Sequence, residues 1–262
     1  MENSVLKQWF ILIGLLLGVT VTNGFARFAY GLLLPAMQAE MEWNYSQAGW
    51  LSTINALGYI LGAILTMIMV RKITSQKLFT FGLITTSLVL TMTGLFVTIG
   101  MQYFLRFLAG LFGAISFSTA GALASGLFRE KPKRNALSIA ILFGTGGGLG
   151  IVFAASFIPL TIDFRGNAAW PLCWLVIGLA SILFLPFGLW AARNLDVSTT
   201  AVLEKQSLPV FKMLPELIGY ACFGLGYIVY LTFLSAWMVS QALDAPLIAL
   251  IWVILGACIC VS

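Results

Sequence analysis

Two arginines, Arg27 and Arg106, stand inside long apolar runs. An arginine at membrane depth is costly and normally turns to the protein interior or to a watery cavity. Arg27 lies eight residues before Pro35, about 12 Å along a helix from the outer end of its run. Arg106 lies close to the outer start of its own run. The competing arrangement is snorkelling to the outer headgroups, near Glu40 or Glu42. The greater depth of Arg27 favours the cavity, whereas Arg106 suits either. No Asp or Glu falls inside the first six apolar runs. An anionic solute is therefore the natural partner for both guanidiniums.

Polar neighbours surround Arg27 at helical spacing. Thr20, Asn23, Arg27 and Tyr30 follow i, i+3, i+7, i+10 and share one helix face. Ser52, Asn55 and Tyr59 form a similar stripe on the next run, and Tyr220, Tyr227 and Tyr230 lie on the seventh. Each stripe either lines a cavity or joins helices through hydrogen bonds and packing. The candidate substrate-binding set is Arg27, Asn23, Tyr30, Arg106, Asn55, Tyr59 and Tyr227. Glu216, near the start of the seventh run, is the one acid expected within a helix there, and its position suits a solvated group.

Other chemistries are excluded or unsupported. The chain has no His, which removes His-based relays and His metal sites. Cys173, Cys222, Cys258 and Cys260 sit in apolar runs without metal-ligand companions and read as packing residues. No nucleophile–base pair or acid cluster lies at membrane depth, so no catalytic residue, metal or cofactor is expected, and the chain does not read as an enzyme.

These residues need elements to position them, and composition names the kind. The 262 residues are 60% hydrophobic and 9% charged, with mean hydropathy +1.01. Soluble domains carry about a quarter charged residues, so the bilayer is the solvent that fits. Runs long enough to cross it predict eight helices: Trp9–Ala36, Ser46–Val70, Leu78–Gly100, Tyr103–Phe128, Ala136–Leu160, Ala169–Ala191, Met213–Val239 and Pro246–Ser262. The fold class is all-α and polytopic. Residues 1–191 form a six-helix bundle, 192–212 a polar linker, and 213–262 the start of a second bundle.

Of the fourteen Lys and Arg, eleven fall in one set of loops and Arg165 alone in the other. The positive-inside rule then puts the N-terminus and the linker in the cytoplasm. The net charge of +5 is accounted for by topology and calls for no nucleic-acid partner. Glycine pairs Gly14/Gly18, Gly58/Gly62 and Gly146/Gly150, within the run Gly144–Gly150, predict close helix approach with some bending. Arg27-Phe28-Ala29-Tyr30-Gly31 and Arg106-Phe107-Leu108-Ala109-Gly110 share the pattern Arg-Phe-x-x-Gly on helices of opposite direction. That fits a three-plus-three inverted repeat.

Leu105 to Gly113 resembles the Arg-x-x-x-Gly motif of major facilitator superfamily (MFS) transporters. Asn23-Gly24-Phe25-Ala26-Arg27-Phe28-Ala29-Tyr30 running to Leu34-Pro35, with Phe223-Gly224-Leu225-Gly226-Tyr227-Ile228-Val229-Tyr230, resembles the bacterial YbfB/YjiJ-like subfamily. The resemblance implies a secondary transporter in a bacterial inner membrane. It would move a small organic solute by alternating access, coupled to protons or another ion. Arg27 would bind substrate with Asn23 and Tyr30, and Arg106 would bind substrate or assist coupling. The loop Arg71-Lys72-Ile73-Thr74-Ser75-Gln76-Lys77 lacks the Gly and Asp usual there, and the fifth helix lacks the Gly-Pro of drug antiporters. Members have twelve helices, so eight imply a truncated product, a fragment, or half of a split pair whose partner is a complementary chain. The rival reading is a non-transporting membrane protein.

Overall fold

The chain is described by a computed structural model covering residues 2–195 and 213–261. The expected linker lies outside the described residues from position 196 onward. The described residues form eight long helices and no strand. Helix α1 is continuous through Glu2–Val19, a π-helical stretch Thr20–Phe28, and Ala29–Glu40. Then come α2 (Tyr45–Met69), α3 (Ser75–Thr93) and α4 (Ile99–Ala124). Helix α5 joins Pro132–Ala140, a π turn at Ile141–Thr145, and Gly146–Arg165. Helices α6 (Trp170–Arg193), α7 (Leu214–Ser240) and α8 (Ala245–Val261) follow.

Several boundaries differ from expectation for local reasons. Helix α2 begins at Tyr45 because Asn44 and Gln47 cap it reciprocally: each backbone N–H donates to the other's side-chain oxygen, at 2.9 and 2.8 Å. Helix α3 stops at Thr93, not Gly100, because Gly94 is wedged against the start of α6, where a Cβ would overlap the Pro171 carbonyl and Leu175. Gly100 instead belongs to α4. Helices α1 and α5 run to Glu40 and Arg165. This corrects the expectation of acid-free helices: Glu40 and Asp163 lie in final turns, at helix ends.

Helices α1 and α4, which carry the two arginines, are the most deeply packed. In their apolar stretches 72% and 56% of residues are buried, against 11% in α7. Among the described residues six helices are long and apolar enough to cross a membrane, namely α1, α2, α4, α5, α6 and α7, and α8 is a shorter apolar helix. Helix α3 is nearly 30 Å long at 1.5 Å per residue but rich in hydroxyls. Thr85, Thr86, Ser87, Thr91 and Thr93 each donate to the carbonyl four residues earlier. Their polarity is thus absorbed by the helix itself.

Glycines set the closest approaches. A Cβ on Gly58 or Gly62 of α2 would overlap the Phe107 or Leu111 carbonyl of α4, and one on Gly110 would overlap the Asn55 carbonyl. Helix α5 is tight on two sides: Gly146, Gly147 and Gly150 face α1, and Gly148 faces Gly256 of α8. The basic loops gather at one end of the bundle. There Gln8 donates to the Leu127 carbonyl at 2.7 Å, and Trp9 packs on Phe128. Cys173 is buried in the core, whereas Cys222 and Cys258 lie exposed on helix surfaces and not in the packing expected of them.

Candidate functional site

The π stretch of α1 presents Arg27. Its turns are wider than α-helical ones, and such bulges recur at functional sites. Within the stretch Gly24 packs against Gly150 of α5, where neither position has room for a Cβ. Widening also breaks the regular spacing that would have aligned Thr20, Asn23, Arg27 and Tyr30. Thr20 is buried and donates to the Leu16 carbonyl. Asn23 turns its amide toward Gly147 of α5. Arg27 and Tyr30 alone of the four reach the central cleft.

That cleft lies between α1, α2, α4 and α7, and its cavity of about 30 Å³ has room for a water or two. Arg27, Tyr30, Asn55, Arg106 and Tyr227 line it, together with Thr232. The Arg27 guanidinium carbon sits 5.2 Å from the Tyr59 ring centroid, 5.5 Å from that of Tyr227 and 5.9 Å from that of Phe28. These rings face its positive charge with their π density. Tyr59 is a neighbour of Arg27 and not a lining residue, and its hydroxyl, although buried, has no hydrogen-bond partner.

Arg106 is 2% exposed. Its Nη1 donates to the Ala26 carbonyl at 2.9 Å, which ties α4 to the π stretch beside Arg27. Its guanidinium lies 4.7 Å from the Tyr30 ring centroid and 5.8 Å from that of Trp174, and its Nε has no partner. The Tyr30 hydroxyl donates to the Ala48 carbonyl at 2.8 Å, fixing that ring. Asn55 donates to the Arg106 carbonyl at 2.9 Å. No carboxylate lines the cleft.

Some residues escaped the sequence reading. Trp174 of α6 supports Arg106, but a Trp in an apolar helix carries no signal that separates this from lipid contact. Thr232 of α7 was missed too; it stands 3.2 Å from Ser52, whose stripe was expected to line a cavity or join helices, and the pair bridges α2 to α7. Tyr220 and Tyr230 are exposed and stand away from the cleft, as does Glu216 at the start of α7. Among the described residues no cluster of His, Cys, Asp or Glu is able to hold a metal.

Comparison with known proteins gives a fold and, separately, a family. The fold resembles the crystal structure of the nucleoside transporter NupG, with a TM-score of 0.66 at 10% sequence identity. The match covers 94% of this chain but 64% of that one, so the chain spans under two thirds of the transporter's length. No curated protein matches the chain significantly. The profile of the family described as "Uncharacterised MFS-type transporter YbfB" matches residues 19–262. A multi-pass helical membrane protein matched over nearly its whole length, the chain belongs to this family of MFS-type transporters.

Proposed function

We propose that the chain forms the solute-binding part of a secondary transporter for a small organic anion, working by alternating access in a bacterial inner membrane. One observation carries this reading: two guanidiniums line a single cleft that no carboxylate lines. A fixed cation in such a place needs an anion to offset its desolvation. Arg27 binds the solute, with Tyr30 and Tyr227 shaping the space, and Arg106 binds it or assists ion coupling. Asn23, Asn55 and Tyr59 support the site from its edges. NupG is described as a nucleoside transporter, but a cleft with two unpaired cations suits an anion better than an uncharged nucleoside. The basic end of the bundle, with the N-terminus, faces the cytoplasm, and an ion gradient drives transport.

The test is uptake of radiolabelled small organic anions into proteoliposomes, with and without an imposed pH gradient. Arg27→Ala is expected to abolish uptake of whichever anion is moved. Uptake of a neutral or cationic solute that survives Arg27→Ala would overturn the assignment. If correctly folded, inserted protein moves no solute at all, the chain alone is non-transporting, and it serves as a structural subunit or as half of a paired transporter.

A further inference from the structure

Resting on the anion-binding reading above, we propose that the solute of this cleft is a small dianion and that both guanidiniums read its charge. The argument is one of charge and donor balance. An arginine carries five N–H donors and no acceptor. Arg27 has three aromatic rings around it and no hydrogen-bond acceptor among the described residues. Arg106 has one protein acceptor, the Ala26 carbonyl, although it is almost wholly buried. Its Nε is left unpartnered, and the residue lines the same cleft as Arg27.

Aromatic faces stabilise a cation but do not neutralise it. The cleft therefore holds two positive charges and many vacant donors, with no carboxylate on its lining. A monoanion leaves one of the two charges uncompensated, and a dianion leaves none. The remaining lining groups select for modest size and polarity. Thr232, Asn55 and Tyr227 offer hydroxyl and amide contacts, and Gly31 brings α1 against the Leu231 carbonyl of α7, closing the space beside the cleft. A short dicarboxylate or a small phosphate ester matches this charge and polarity, and the helices must part to admit it, because the cavity as it stands is about 30 Å³.

The experiment is equilibrium binding to the purified chain in detergent at pH 8. The probes are succinate and inorganic phosphate as dianions, butyrate as a monoanion of matched length, and succinamide as a neutral control. Wild type is expected to bind a dianion about tenfold more tightly than butyrate. Arg27→Gln and Arg106→Gln should each bring that ratio close to one. Folding is checked by gel filtration and a thermal melt. If Arg106→Gln does not fold, Arg106→Lys keeps the charge and should keep the preference, and Arg27→Gln still carries the test. Equal or tighter binding of butyrate by wild type would overturn the proposal and leave the anion site standing. So would a preference unchanged in Arg106→Gln, which would reduce Arg106 to a brace for Ala26. Failure of folded protein to bind either kind of anion would overturn the proposal together with the reading beneath it.

Discussion

Arg27 and Arg106 begin the same five-residue pattern on helices of opposite direction, yet the two copies do different work. Each arginine lies against aromatic rings, and each motif glycine presses its helix onto a neighbour's carbonyl. Gly110 presses α4 onto Asn55 of α2, within the first six helices, whereas Gly31 presses α1 onto Leu231 of the sparsely buried α7. Arg27 is partly exposed and reaches no acceptor, whereas Arg106 is buried and holds the Ala26 carbonyl. The lesson is that one local sequence can supply either a fixed internal joint or an accessible charged surface. Which it supplies depends on what the rest of the chain packs against it.

The glycines allow the sharpest attack on this contrast. Gly110→Ala places a methyl group into a backbone carbonyl inside a seam that further glycines hold shut, so α2 and α4 must part. The expected loss is about 3 kcal/mol, seen as a large fall in the melting temperature in detergent. Gly31→Ala makes the same clash, but α7 is largely unburied and can shift. A loss of about 1 kcal/mol is expected. If Gly31→Ala proved as damaging as Gly110→Ala, the distinction between an internal joint and a yielding contact would be lost.

The rings make a finer test. Tyr30→Phe removes the hydroxyl that donates to the Ala48 carbonyl and should cost about 1 kcal/mol in the same melts. Tyr59→Phe removes a buried hydroxyl that has no partner, so stability should stay within about 0.5 kcal/mol of wild type. Equal losses for the two would mean that the Tyr59 hydroxyl has an acceptor after all.

The number and order of the helices were legible from the sequence because a bilayer demands long apolar runs, and few residues here interrupt them. The special standing of Arg27 and Arg106 was legible for the same reason: charge at that depth is conspicuous. The face that Asn23 occupies was not. Reading Thr20, Asn23, Arg27 and Tyr30 as one stripe assumes regular α-helical turns, and the stretch Thr20–Phe28 is π-helical. That irregularity accompanies a contact between Gly24 and Gly150, residues far apart in the chain, so no local spacing reveals it. The Arg106 bond to Ala26 was hidden likewise. A side chain reaching a backbone carbonyl on another helix leaves no mark in residue type.

The hydroxyls of α3 bear on how passages through a membrane are counted. Because Thr86, Ser87 and Thr93 are buried, and the outer Thr85 and Thr91 bond to carbonyls of their own helix, lipid meets a surface less polar than the residue names suggest. A tally made by apolarity alone steps from α2 straight to α4, as the six qualifying helices do. Parity is then wrong by one, and every later segment is turned over. Arg71 and Lys72 would end up across the bilayer from Lys131 and Arg134. Gln8 donates to the Leu127 carbonyl and Gln76 to the Leu195 carbonyl, two contacts whose partners such a tally would put on opposite sides. A helix with self-satisfied hydroxyls thus determines which basic loops share an aqueous compartment.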